Sequence, residues 1–415
     1  MVELMSKTIY RLLHRRSLFF ILMTFFTIFS TSAVSAQDSS AIRFSFGGSN
    51  KLKITERSNI RVSENGVYKG LTYNESRGVL DYMWYEDGFT QYAGKYYVYE
   101  ASKHDTRLIA NPVNLAEYCE IGISDQGIYN IGEAQLLPVL RSFPVFPGRE
   151  IKAGDRWRDY GERVVDPDNS GRYTKVKFYC EYRYEGLKES RTGLKHIITA
   201  QYAMRYKPGD SSQNDPDLKK ISGSHIVTIM IDDEDRSSIF IRDQLDEQYY
   251  YFDGRVLEHK GFILTWYDDI IGMDRGRVAQ ISKDELEKEA IEDIEVIEKD
   301  EGLSLNIGNL HFKPDSAELL SDEDGRIRSI YNLLGEVGVS KILVVGHTAD
   351  VGTKESQYLL SRQRALTVIN KLVMLGMNAG MFIYEGRGGD EPVDTNETAE
   401  GRAANRRVEL IFMDD

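Results

Sequence analysis

Two hydrophobic periods divide the chain. Across 172–184, Val176, Phe178, Cys180, Tyr182 and Tyr184 share one face, while Lys175, Lys177, Glu181 and Arg183 hold the other. Across 194–206, Ile198, Ala200, Tyr202 and Met204 oppose Lys195, Thr199, Gln201 and Arg205. A period of two over such lengths predicts half-buried strands. Shorter runs at 224–231, 237–241, 247–252 and 256–266 continue the pattern, with Asp253-Gly254 as a hairpin signal. Residues 37–281 therefore read as a β-rich antiparallel region, a sandwich or half-barrel.

The period changes after residue 281. Ser282 and Glu285 form a capping-box pattern, and Leu286, Ala290, Ile294 and Ile297 recur at helical spacing, so 282–301 is expected to be an acidic linker helix. Strand and helix then alternate. Residues 303–312 read as a strand, and Ile327, Ile330, Leu334 and Val337 as a helix. Next come a strand at 341–346, a helix through Ala365, Val368, Ile369, Leu372 and Leu375, and strands at 382–386 and 408–412. This alternation predicts an α/β sandwich over 302–415 that folds as an autonomous domain. The cluster Leu137-Pro138, Phe143-Pro144 and Phe146-Pro147-Gly148 is the richest Pro/Gly stretch. It suggests a boundary between β-rich domains at 37–140 and 141–281.

Composition agrees with a β-rich chain, with 25 Tyr and 17 Phe against 9 Pro in 415 residues. Residues 1–36 have the layout of an export signal: Lys7, Arg11, Arg15 and Arg16, an apolar run at 18–29, then Val34-Ser35-Ala36 at a cleavage point. This implies a periplasmic location, with association to the outer membrane left open. Without those residues the formal net charge moves from −13 to −16, which argues against a nucleic-acid partner. Cys119 and Cys180 are the two cysteines; one disulfide or two buried thiols both fit an exported chain. The seven histidines show no metal spacing, and no serine-hydrolase, zinc-protease or phosphate-loop motif occurs. No metal or cofactor is expected. Asp166-Pro167-Asp168-Asn169-Ser170-Gly171 starts like a calcium loop, but Lys177 stands where a bidentate Glu is needed, so a turn is expected.

One set of motifs carries a resemblance. The segments 310–319 (LHFKPDSAEL), 346–352 (GHTADVG), 360–365 (LSRQRA) and 401–409 (GRAANRRVE), with Gly386-Arg387-Gly388, follow one another in the order of the OmpA-like peptidoglycan-associated domain family. The chain resembles that family over about 110 residues. The resemblance implies a domain that grips the diamino acid in the stem peptide of peptidoglycan. A carboxylate would read the ligand ammonium, and an Arg fork its carboxylate. It assigns that pocket to Thr348, Asp350, Gln357, Arg364, Asn405 and Arg406. Arg364 occupies the family's helix Arg position. Either Arg406 or Arg407 is expected in an intradomain salt bridge. The pocket departs from the family in two places. The usual Asp position is Ala349, with Asp350 one residue later, and the usual helix Asn is Gln357.

The resulting expectation is a non-enzymatic envelope protein, tethered to peptidoglycan by residues 302–415 and carrying a β-rich binding or scaffolding region. The alternatives are an outer-membrane β-barrel with a periplasmic OmpA-like domain, and a wall-remodelling enzyme targeted by that domain.

Overall fold

A computed structural model of the chain describes residues 41–46, 50–102, 111–234, 236–269, 273–289, 293–299, 302–308, 310–313 and 316–413. The export signal expected at 1–36 lies outside the described residues.

The alternating segments form the strands β1 (Lys51–Glu64), β2 (Val67–Glu86), β3 (Phe89–Ser102), β4 (Asn111–Pro112), β5 (Leu115–Ser124), β6 (Tyr129–Ile131), β7 (Leu140–Arg141), β8 (Arg156–Val165), β9 (Thr174–Ser190), β10 (Gly193–Tyr206), β11 (Leu218–Asp232), β12 (Ile239–Tyr251) and β13 (Val256–Asp269). All but β4 join one twelve-stranded sheet in the order β6-β5-β3-β2-β1-β13-β12-β11-β10-β9-β8-β7. Every neighbouring pair is antiparallel. The first and last long strands pair with each other, with Ile54 opposite Tyr267. The sheet curls on itself, so one core gathers Tyr92, Tyr96 and Cys119 near one edge with Phe178, Tyr182 and Tyr202 near the other. This is the half-barrel alternative.

The boundary expected near residue 140 falls inside this sheet, and β1–β7 and β8–β13 share its core. The Pro/Gly-rich stretch that suggested it is interior structure. Phe143 and Phe146 are buried, and Phe143 packs against Phe178, Tyr182 and Tyr202. The Tyr267 hydroxyl donates to the Phe143 carbonyl at 3.0 Å. Residues 41–46 enter the same space, with Phe46 edge-on to Tyr267 at 5.1 Å. Punctuating residues mark an irregular backbone without saying whether it links domains or fills one. Gly78 shows how tight the filling is: a Cβ there would lie 2.3 Å from the Tyr96 ring. Cys119 and Cys180 are both free and buried, and burial pushes each thiol up to about 12.

The second region contains α1 (Arg275–Lys288), β14 (Ile294–Lys299), β15 (Gly302–Ile307), α2 (Asp324–Val337), β16 (Ile342–Gly346), α3 (Lys354–Met374), β17 (Phe382–Gly386), α4 (Ala399–Asn405) and β18 (Val408–Met413). The expected linker helix at 282–301 is corrected in two ways. The helix starts earlier, capped by Asp274, whose carboxylate accepts the Arg277 N–H at 2.9 Å, so Ser282 lies buried in mid-helix. Residues 294–299 are a strand: Ile294 and Val296 alternate with Glu295, and a short apolar run fits either period. The strand expected over 303–312 ends at Ile307, and Phe312 then bridges to Leu319.

The second sheet has the order β14-β15-β18-β16-β17-β4, with β16–β17 and β17–β4 parallel. Strands β15, β16 and β18 are buried at every position, so both faces of the sheet are covered. Buried Ile327, Ile330 and Leu334 of α2 and Val368, Ile369 and Leu372 of α3 join one apolar cluster with Leu305, Val344 and Leu410. Leu343, Val345, Ile383, Ile411 and Met413 instead meet Tyr97, Tyr99 and Val113 from the β-rich region. With β4 added to its edge, the C-terminal sheet is completed by residues far upstream.

Candidate functional site

The motif residues converge where the C-terminal sheet meets the start of α3. Strand β16 ends at Gly346, whose Cβ would lie 1.9 Å from the Ser361 carbonyl oxygen, so only glycine allows this approach to the helix. The loop 347–352 follows. Its Thr348 N–H donates to the Gly388 carbonyl at 2.8 Å, tying it to the loop after β17. Thr353 caps α3 by accepting the Ser356 N–H at 3.3 Å. Gln357, Ser361 and Arg364 then recur at i, i+4 and i+7, which stacks them on one helix face. All three are buried.

Four of the six predicted residues are brought together. The Gln357 amide donates to the Asp350 carboxylate at 3.0 Å and accepts from the Gly389 N–H at 3.2 Å. The Asp350 N–H donates to the Asn396 side-chain Oδ1 at 3.1 Å, and that oxygen also accepts from the Asn405 amide at 3.0 Å. Asn405 is fully buried, and its other bonds hold the backbone of Val393 and Asp394. It positions the loop rather than facing a ligand. Thr348 is buried too, and among the described residues its hydroxyl oxygen has no hydrogen-bond partner.

The displaced Asp changes the geometry. Ala349 is 6% exposed and points inward, whereas the Asp350 side chain is 50% exposed. Consecutive residues of an extended segment point oppositely, so the shift turns the carboxylate outward. The Gln357 amide, and then Lys354 at 3.4 Å, hold the Asp350 carboxyl below the usual range. Lys354 also pairs with Asp390 at 2.7 Å, and the Tyr358 hydroxyl donates to Asp390. Lys354, Tyr358 and Asp390 escaped the sequence reading. Lys354 alone had a signal there, since it lies four residues from Asp350 at the start of a helix.

Arg364 and Arg406 lie apart from that network. The Arg364 Nε donates to the Ser316 carbonyl at 3.2 Å, and its guanidinium lies over the Phe312 ring at 4.7 Å. Phe312 and Ser316 therefore fix the plane of the fork. Arg406 is exposed at the end of α4. Arg407 is the buried one of the pair, and it makes the intradomain salt bridge, with its Nη2 2.7 Å from Glu409. Among the described residues, His311, Asp322 and Glu323 come within metal-ligand reach of one another, but His311 Nδ1 already lies 2.9 Å from Glu323.

This arrangement presents an outward carboxylate just before α3 and a fixed guanidinium about three turns into it. Residues 311–406 match the OmpA family. Outer membrane protein A of Bordetella avium is 37% identical over 102 residues, which cover 25% of this chain and 49% of that protein. Peptidoglycan-binding protein ArfA of Mycobacterium bovis is 31% identical over 104 residues, 25% of this chain and 32% of that protein. The chain thus spans about half or less of these relatives. The solved structure of the cell wall anchor of the T6SS from Pseudomonas aeruginosa matches at 30% identity and a TM-score of 0.29, over 34% of this chain and 100% of that one. The matched OmpA-family segment contains the whole candidate site and none of the twelve-stranded sheet.

Proposed function

We propose that the OmpA-family domain tethers this protein to peptidoglycan by gripping the amino-acid-like end of a stem peptide, and that the protein is a non-enzymatic component of the envelope. The observation that carries this reading is Arg364, which keeps its place in the family's helix motif and is held in one plane by Phe312 and Ser316. In this reading Arg364 receives the ligand carboxylate and Asp350 the ammonium, with Gln357 orienting Asp350. Arg406, exposed beside the α4 terminus, adds positive potential for an anionic ligand end. The relative whose name states peptidoglycan binding supports the same substrate class. The family match covers the tether alone, and the β-rich region carries a separate binding or scaffolding role in the periplasm.

A transmembrane barrel is disfavoured by the outer face of the large sheet. Lipid-facing positions have to be apolar, yet Lys177, Arg183, Gln201, Arg205, Arg242 and Asp246 are exposed. Among the described residues no helix is long and apolar enough to cross a membrane.

Co-sedimentation of the full chain with purified sacculi tests the tether. Wild type should be retained. Arg364→Ala should bind about ten- to a hundredfold more weakly, matching the ~1.5–3 kcal/mol of a hydrogen bond to a charged group. A wild-type chain left in the supernatant overturns the proposal.

A further inference from the structure

The large sheet holds a second site. Towards one end its inner face is not filled, and a cavity of about 440 Å³ lies between β1, β2, β12 and β13 and the 163–173 segment. That volume is in the ~300–1,000 Å³ range of small-molecule pockets. Ile60, Val62, Leu245 and Ile263 form an apolar cluster of their own on its wall, separate from the aromatic core. Polar side chains line the rest of it, and three of them hold a buried atom without a partner among the described residues: Asn74, through its Oδ1, Arg163 and His259. Arg163 is 9% exposed, and its Nη1 meets no acceptor among the described residues. His259 Nε2 is buried and equally without a partner. Buried polar atoms in folded proteins nearly always have partners, so three on one cavity wall point to a ligand.

The surrounding charges select the kind of head group. The His225 ring lies between two carboxylates, with Nδ1 2.9 Å from Asp243 and Nε2 3.0 Å from Glu247. Both nitrogens therefore donate, and the ring is an imidazolium. Burial opposes that charge, but the two carboxylates outweigh it and raise the His225 pKa. Arg163 and His225 together offset Asp243 and Glu247. Burial raises the Glu56 pKa, and Glu56, Glu75 and Asp166 add further acidic groups to the wall. The cluster leaves no excess of positive charge, and an anionic ligand would bring an uncompensated charge into it. Burial likewise depresses His259 and keeps it neutral, while its ring also hydrogen-bonds to the Pro167 backbone. With that bond on Nδ1, Nε2 offers a lone pair. The unpartnered atoms on the wall are thus one donor, on Arg163, and two acceptors, on His259 and Asn74. A head group with hydroxyls or an amide both accepts from the first and donates to the others. The aliphatic wall suits a flexible chain better than a flat ring.

We infer that the β-rich region binds a single-chain lipid with an uncharged hydroxyl or amide head, its head on Arg163 and His259 and its chain along Ile60, Val62, Leu245 and Ile263. The test is equilibrium dialysis of the full chain against labelled monolauroylglycerol below its micellar concentration. Saturable binding near one per chain is expected, with laurate at least tenfold weaker. Val62→Trp, which fills the cavity from a half-buried position, should weaken monolauroylglycerol at least tenfold. His259→Phe should weaken it several-fold, and both variants are to be compared at unchanged far-ultraviolet dichroism. Absence of saturable binding by wild type overturns the inference. Equal affinity for laurate overturns the assignment of an uncharged head, and undiminished binding by both variants overturns the location.

Discussion

Each region of the molecule places an acidic side chain beside polar and basic partners, and the two surroundings give it opposite roles. In the large sheet, Asp243 and Glu247 are 2% exposed and close on His225, which stacks on Tyr202 with ring centroids 4.1 Å apart. The Tyr249 hydroxyl donates to Glu247 at 2.7 Å. In the C-terminal domain, Asp350 meets Gln357 and Lys354 at the surface with half its side chain in water. Exposed pairs contribute little to stability, whereas breaking one partner out of a buried pair is costly. The first cluster therefore specifies structure, and the second is free to be read by a ligand.

The sharpest break of that contrast is His225→Ala. It leaves two buried carboxylates facing each other and should lower stability by about 3–5 kcal/mol, read as a shift of the denaturant midpoint of tyrosine fluorescence. A shift no larger than that of a surface substitution would erase the distinction between the clusters.

Next comes the seam between the regions. Tyr99 is buried against the C-terminal sheet, and its hydroxyl donates to Glu75. Burial would raise the Glu75 pKa, but hydrogen bonds from Tyr99, Tyr73 and Arg57 hold it below the usual range. Tyr99→Ala should cost about 3 kcal/mol and lower the melting of both regions together. Movement of one transition alone would show that they fold independently. The same seam revises the expectation of an autonomous 302–415 domain. That fragment would expose Leu343, Val345, Ile383 and Ile411, and it should self-associate on size-exclusion chromatography.

Acid sharpens the comparison further. Burial pushes Glu247 upward, but His225 and Arg163 bring it down to about 2, from 4.5. A depressed carboxyl contributes stability that is complete above its unfolded value and fades as pH falls through the folded one. The large sheet should therefore lose about 3 kcal/mol between pH 4.5 and 2 through this group. His225 has the opposite sign: its raised pKa stabilises fully below about 6.5, and that contribution is lost as pH rises through the folded value. Urea midpoints from pH 2 to 9 would show both slopes, and His225→Gln should flatten them.

The pattern of the chain revealed more of the strands than of their assembly. Alternation in 172–184 and 194–206 marked β9 and β10, because each face of a strand has largely one environment there, but Lys175 of the polar face is buried. It could not show that Phe143 and Phe146 turn into the same core, since irregular backbone has no period. Nor did it reveal Tyr97 and Tyr99 as the cover of the second sheet, a contact between segments some 250–300 residues apart. At the candidate site, motif order located Arg364 and Gln357 on one helix face, because helical spacing carries direction. The outward turn of Asp350 and its pairing with Lys354 follow from loop geometry that spacing does not encode.

The smallest expected effect on stability belongs to Asp350, and it leads to the decisive measurement. Asp350→Asn should leave the melting temperature unchanged, because its carboxylate is solvated and its partners stay satisfied by water. Calorimetric titration of the full chain with soluble muropeptides from its own source should nevertheless show at least tenfold weaker binding for Asp350→Asn than for wild type. A wild-type chain that gives no binding isotherm, or an Asp350→Asn variant that binds as wild type does, would contradict the assignment of this exposed carboxylate to ligand recognition.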